Sequence, residues 1–410
     1  MSTKIIEMQI AKRQRYKFIA RNTNTDNAVS SYWTYPCIVM IEMTSGVIVA
    51  YTKYERYLRR LDESENLSGR TLTRLAMGVC NFLNYLLYRT NITSINQLTP
   101  GDINRYHRYL SIESGLQQDT YKKYAYDVSV FLKNYYDFNH ENVEFHYTKD
   151  TIPKTVPKSP YPQKKKFRTL LNGFEQLLIY CAKAYDPMLT LPIMTQLYSG
   201  VREGEIVNLT IGKIKCEPPW GVITSITIDV KSNANHWGNV RTDPGENKKK
   251  RETEIIEEFI EDYYEAYEYH KRCLARDGYP TTARSPLFYD KEKKPMTVSC
   301  YCSRLKKLFN DHFVPLLENY CKKMNMYDEN IAYIEKYREK YPGAHMFRHW
   351  FSMYLLVEKE MNPVEVQKRR GDSSQESMQD YISENTKMRK AFEQVNFVFQ
   401  ETLLDGIDLV

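Results

Sequence analysis

Residues 149–166 read KDTIPKTVPKSPYPQKKK, with four prolines, six lysines and almost nothing to bury. Such composition favours an extended, semi-rigid connection. The chain on either side must then fold around its own core. Its 410 residues agree, being too many for one average core. A lysine-rich strap between two globular parts also suits a polyanion, because each phosphate contact releases counterions. Lys158, Lys164, Lys165 and Lys166 are the strap residues expected to meet phosphates, although a plain solvated linker would share this composition.

Residues 61–148, before the strap, carry a helical pattern. Leu72, Leu75, Ala76, Val79, Phe82, Leu83, Leu86 and Leu87 recur at three- and four-residue steps, one apolar helix face. Thr99-Pro100-Gly101-Asp102 reads as a helix cap ahead of Ile103, Tyr106 and Leu110. Gly115 breaks the pattern, and Asp119-Thr120 opens a helix with Tyr124, Val128, Phe131, Leu132 and Tyr135 inward. A small bundle follows, with Arg105, Arg108, Lys122 and Lys123 off its apolar faces, free for phosphates or for solvent. Residues 1–60 add a basic segment (Lys12, Arg13, Arg15, Lys17, Arg21) and a hairpin, CIVMIEM and VIVAYTK about Thr44-Ser45-Gly46. This piece is either a DNA-contacting arm or a packing appendage.

Beyond the strap, residues 167–395 are predominantly helical. FEQLLIYCAKAY and PMLTLPIMTQLYSG are apolar enough for core helices, GVITSITIDV suits a strand, and the start of RETEIIEEF can pair back on it. Further helices are expected around 298–324 and 330–338. The fold class is therefore mainly α with a small antiparallel β-sheet. Residues 396–410 form a tail mixing apolar and acidic residues, suited to docking on a neighbouring subunit or on its own domain.

The net charge of +7 permits nucleic-acid binding without demanding it. Charge scattered through the first twenty residues is unlike a signal peptide. No apolar run approaches the roughly 20 residues of a membrane span. A soluble cytoplasmic protein with no membrane partner is expected, and eight scattered cysteines suit reduced thiols. Cys300, Cys302, His312 and Cys321 match no usual zinc spacing, so no metal site is expected.

Two clusters point to chemistry. Arg202 lies in GVREGEIVNL, with Glu205 three residues on to hold its guanidinium. HMFRH places His345, Arg348 and His349 at the start of a helix, with Gly371, Asp372 and a lone Tyr381 downstream. Together these segments resemble the two arginine boxes of the tyrosine recombinases, the phage-integrase family, with Tyr381 ten residues after Gly371 at the family's nucleophile spacing. The resemblance covers about residues 66–395. It implies a helical core-binding domain ahead of a mixed α/β catalytic domain, closing on duplex DNA.

The resemblance also implies roles. Tyr381 would attack a phosphodiester to form a 3′-phosphotyrosyl link, Arg202 and Arg348 would clamp the phosphate, and His345 would take a proton or bond the phosphate. The chemistry agrees. A tyrosine hydroxyl, with a pKa near about 10, needs alignment and deprotonation, and planar guanidiniums fit the oxygens of the transition state. No metal or other cofactor is then required. A lysine acid is expected at the tip of the β-hairpin: Lys248, with Lys249, Lys250 and Lys231 as competitors. Asp372 departs from the family's usual histidine or tryptophan. An ionised carboxylate repels phosphate, so either Asp372 stays protonated, or it pairs with Arg369, Arg370 or Arg348, or His349 or another group supplies the missing donor; the ion pair is the expectation.

The implied function is integration, excision or transposition of a mobile element by a homotetramer on two duplexes of double-stranded DNA, with directionality or accessory proteins as further partners. The alternatives are a non-catalytic DNA-binding accessory protein and a topoisomerase- or resolvase-like strand transferase.

Overall fold

A computed structural model of the chain describes residues 15–22, 36–54, 56–58, 69–138, 170–171, 173–219, 221–230 and 251–372. They fall into two compact units, which divide between Lys165 and Lys166.

The first unit joins an antiparallel sheet to helices. The sheet is β1 (Tyr16–Asn22), β2 (Pro36–Glu42) and β3 (Ile48–Tyr51), in that order. The helices are α1 (Gly69–Arg89), α2 (Pro100–Arg108) and α3 (Gln118–Phe138). The apolar stripe of α1 is buried from Leu72 to Leu86, with Leu87 half-exposed at its edge. The expected cap forms as a reciprocal box: Asp102 N donates to Thr99 Oγ1 at 3.3 Å, and Thr99 N donates back to Asp102 Oδ2 at 2.9 Å. Ile103, Tyr106, Val128, Phe131 and Leu132 complete the core, with Tyr124 and Tyr135 at its margin.

The predicted hairpin is β2–β3, and the basic segment supplies a third strand, β1, paired Tyr16↔Glu42 through Asn22↔Pro36. This sheet packs on the bundle. Asn84 of α1 exchanges two hydrogen bonds with the Phe18 backbone, at 2.7 and 2.9 Å, and the Tyr88 hydroxyl donates to Tyr16 O at 2.6 Å.

The second unit is a helical body with one small sheet. Helix α4 (Phe174–Tyr185) leads to α5 (Thr190–Ser199), all ten of whose residues are buried. Its buried polar side chains find partners inside, Thr195 and Ser199 by donating to the carbonyls four residues back, and α5 is packed by α7 (Ile260–Arg276) and α11 (His345–Val357). The single-turn α6 (Glu203–Ile206) follows it. The sheet runs β4 (Ile214–Glu217), β5 (Ser225–Asp229), β6 (Glu252–Glu254), antiparallel throughout. Ile226 and Ile228 face the core at the two-residue period of a half-buried strand. Helices α8 (Val298–Leu308), α9 (Val314–Lys323) and α10 (Tyr327–Glu339) close the body, and α12 (Pro363–Arg370) follows α11. All eight cysteines are free thiols; Cys181, Cys273 and Cys321 are buried with the core, whereas Cys300 and Cys302 are half-buried on α8. Among the described residues, no helix is long and apolar enough to cross a membrane.

Candidate active site

The site grows from the turn that ends α5. Gly200 adopts φ 65° and ψ 20°, a left-handed conformation that favours glycine. A Cβ there would lie 2.5 Å from the Phe351 ring. The turn is held from several sides. Thr253 Oγ1 donates to Ser199 O at 3.0 Å, Gln196 Nε2 to Val201 O at 3.2 Å, and the Tyr301 hydroxyl to Gln196 Oε1 at 2.6 Å. Arg202 leaves it in an extended conformation just ahead of α6.

Glu205 then fixes Arg202 twice. Its Oε2 accepts from Arg202 N at 2.9 Å, and its Oε1 accepts from Arg202 Nη1 at 2.9 Å. On its other side Arg251, at the mouth of β6, donates Nη1 to Oε1 at 2.7 Å and Nη2 to Oε2 at 2.8 Å. Burial works to raise the Glu205 carboxyl, but Arg251 and Arg202 outweigh it and hold it below the usual carboxylate range.

Helix α11 supplies the second arginine. His345, Arg348 and His349 lie three and four residues apart, so they share one side of the helix. The His345 and His349 rings meet edge to face at 5.0 Å. Trp350, turned elsewhere, donates Nε1 to the buried Glu175 at 3.1 Å and anchors the helix from behind. The Arg348 side chain is 1% exposed. Its Nη1 donates to Gly200 O, and its Nη2 to Arg370 O at 2.6 Å. Burial lowers its pKa, Arg370 and Arg202 lower it further, and Asp372 acts in the opposite sense.

Asp372 stands where these elements meet. Helix α12 is capped by Gly371, φ 65°, where a Cβ would lie 2.6 Å from Arg251 Cδ. The next residue, Asp372, accepts at Oδ1 from both Arg202 Nη2, at 2.6 Å, and Arg348 Nη2, at 2.7 Å. Its Oδ2 lies 3.1 Å from Arg370 Nε. Burial would raise this carboxyl, yet Arg348, Arg370 and Arg202 hold it below its ordinary value. The ion pair expected for Asp372 is therefore present, with Arg202 as a further partner. Four guanidiniums around two carboxylates leave a local excess of two positive charges. The arrangement can bind an anion and stabilise negative charge developing on it.

Arg202, Glu205, Arg348 and Asp372 thus come together, and His345 and His349 lie on the helix that carries Arg348. Tyr381, Lys248, Lys249, Lys250 and Lys231 lie outside the described residues, as do Lys158, Lys164, Lys165 and Lys166 and the tail. In the first unit Arg105, Arg108, Lys122 and Lys123 are exposed, and Arg105 is hydrogen-bonded to Asp102. Arg251 escaped the sequence reading. Its one signal is an arginine opening the second hairpin strand, and its partner is 46 residues away. Among the described residues, no group of three or more His, Cys, Asp or Glu side chains could hold a metal ion.

No protein-family model matches the sequence, and no curated protein matches it. Solved structures do. One is the XerH site-specific recombinase in a post-cleavage complex with a palindromic difH substrate: TM-score 0.54, 16% identity, 84% of each chain covered. Another is the Tn1549 transposon integrase in complex with transposon right end DNA: TM-score 0.53, 17% identity, covering 82% of this chain and 98% of that one. The fold is that of the tyrosine recombinases. In this chain Arg202 and Arg348, far apart in sequence, meet at one carboxylate oxygen of Asp372.

Proposed function

We propose that this chain is a tyrosine-type DNA strand transferase, a site-specific recombinase serving the integration, excision or transposition of a mobile element. The observation that carries this reading is the convergence of Arg202 and Arg348 on a single anionic oxygen. Two guanidiniums so placed would bind the non-bridging oxygens of a phosphodiester and stabilise the charge that builds on them during attack.

In this reading the Tyr381 oxygen bonds to phosphorus as the P–O5′ bond breaks. The phenol proton passes to a base, for which His345 is the candidate, and a hairpin lysine, Lys248 first, gives a proton to the departing 5′ oxygen. The phosphotyrosyl bond keeps the energy needed to rejoin strands. Arg105, Arg108, Lys122 and Lys123, with Lys158 and Lys164 to Lys166, would hold the DNA backbone. A tetramer on two duplexes, with accessory proteins setting direction, would complete the exchange.

The test is a library of duplexes carrying a nick beside randomised sequence, incubated with the full chain. An adduct that survives denaturant, and is lost in Tyr381→Phe, supports strand transfer. Binding without an adduct supports the second reading, an accessory DNA-binding protein. The observation favouring that alternative is Asp372, a carboxylate on the very donors a phosphate needs.

A further inference from the structure

The two carboxylates of the site are held in different ways. Glu205 is 3% exposed and gripped from two sides by Arg202 and Arg251, so it is part of the frame. Asp372 is 12% exposed and stands two residues beyond the end of α12. Its backbone is tied to α12 by longer bonds, Asp372 N to Gln367 O at 3.2 Å and Gln367 Nε2 to Asp372 O at 3.4 Å.

What Asp372 accepts is equally telling. Arg348 sends Nη1 to one carbonyl and shares Nη2 between a second carbonyl and Asp372. With its side chain 1% exposed, its route to an anion on the solvent side runs through the place that Asp372 Oδ1 holds. Arg202, 28% exposed, turns Nη2 to the same place. A carboxylate oxygen and a non-bridging phosphoryl oxygen are both anionic acceptors of guanidinium N–H, at similar distances.

We propose that the Asp372 carboxylate is a resident stand-in for a phosphodiester oxygen, and that DNA binding exchanges the one for the other between Arg202 and Arg348. The inference rests on the strand-transfer reading for the identity of its ligand. Until DNA arrives, Asp372 keeps the two guanidiniums in their anion-bound positions and offsets their mutual repulsion. When the phosphate enters, Asp372 swings out about Gly371, because two anions cannot share one oxygen seat. Binding is thereby weakened by the cost of displacing the carboxylate, which selects against loosely placed backbone phosphates.

Inorganic phosphate is the probe, and the unfolding midpoint of the full chain is the measurement. Asp372→Asn should unfold at a lower temperature than the native chain without phosphate. It should regain most of that deficit as phosphate is added, with an apparent affinity at least tenfold tighter than the native chain shows. Adding Arg202→Gln should abolish the response. A response in Asp372→Asn no stronger than the native one, or one that survives Arg202→Gln, overturns the proposal. If Asp372→Asn does not fold without phosphate, Asp372→Ser is taken through the same titration. Failure of both to fold in saturating phosphate also counts against exchange, since the carboxylate itself would then be indispensable. The adduct assay separates the two levels. A phosphate response without adduct keeps the exchange and removes strand transfer, whereas an adduct without the response does the reverse.

Discussion

Arg251 grips Glu205 with two parallel hydrogen bonds, of 2.7 and 2.8 Å, across 46 residues of sequence. Glu205 in turn holds both the backbone N–H and the guanidinium of Arg202. Arg251 is thus the far end of a brace that aims a candidate catalytic arginine.

Arg251→Lys keeps the charge but not the fork. Breaking a buried pair by removing one partner costs about 3–5 kcal/mol; lysine, which retains a single hydrogen bond, should cost roughly half of that. Adduct formation should fall more than DNA binding does, because Arg202 is misaimed rather than removed. Urea unfolding paired with adduct rates checks both effects.

For Arg202→Lys the balance is reversed. The side chain is partly exposed and its backbone bond to Glu205 survives substitution, so stability should change by less than about 1 kcal/mol. A lysine cannot reach Glu205 and the anion seat together. Loss of a transition-state donor costs about 10²–10³ in rate, and single-turnover adduct formation should show a fall of that order.

Asp127, in α3, offers a test by pH. Its side chain is fully buried against Arg74, and burial pushes the carboxyl up to about 6, with Arg74 and Lys123 opposing. An acid with a raised folded pKa binds more protons folded than unfolded between about 3.9 and about 6. Stability of the first unit should therefore rise as pH falls through 6 towards 4, by roughly 2–3 kcal/mol. Asp127→Asn should flatten that slope in denaturant titrations run across the same pH range.

The exposed basic residues of the first unit predict a salt signature. Removing one cation that neutralises a phosphate should reduce the slope of log K against log salt by about 0.9. Changing Arg105, Arg108, Lys122 and Lys123 to alanine together should lower it by up to four times that amount. Fluorescence anisotropy with labelled duplex at several salt concentrations reads the slope. An unchanged slope would place the DNA backbone away from this surface.

Local features were legible in the sequence wherever the physics is local. The Thr99–Asp102 box, the stripe of α1 and the Arg202–Glu205 pair depend on neighbours a few residues away, and all three stand as expected. The ion pair of Asp372 was legible too, because a carboxylate among Arg348, Arg369 and Arg370 must find a cation. Its bond to Arg202, 170 residues distant, was not. Nor was the role of Arg251, which depends on strand register bringing β6 beside α6; one sequence carries no signal of that register. The third strand of the N-terminal sheet was missed for a like reason: β1 sits among basic residues, and its pairing with β2 and α1 outweighs that composition.

The register of β5 with β6 carries one more implication. Val230 N donates to Arg251 O at 3.0 Å, so the chain leaves at 230 and returns at 251 across a single hydrogen bond. The twenty residues between are a closed detour whose ends are clamped together. Lengthening such a detour costs only in proportion to the logarithm of its length, about 0.6 kcal/mol per doubling. Residues added between these ends should accordingly leave the Arg251 fork in place. New sequence can thus be tried between two clamped ends while the arginine frame stays in register.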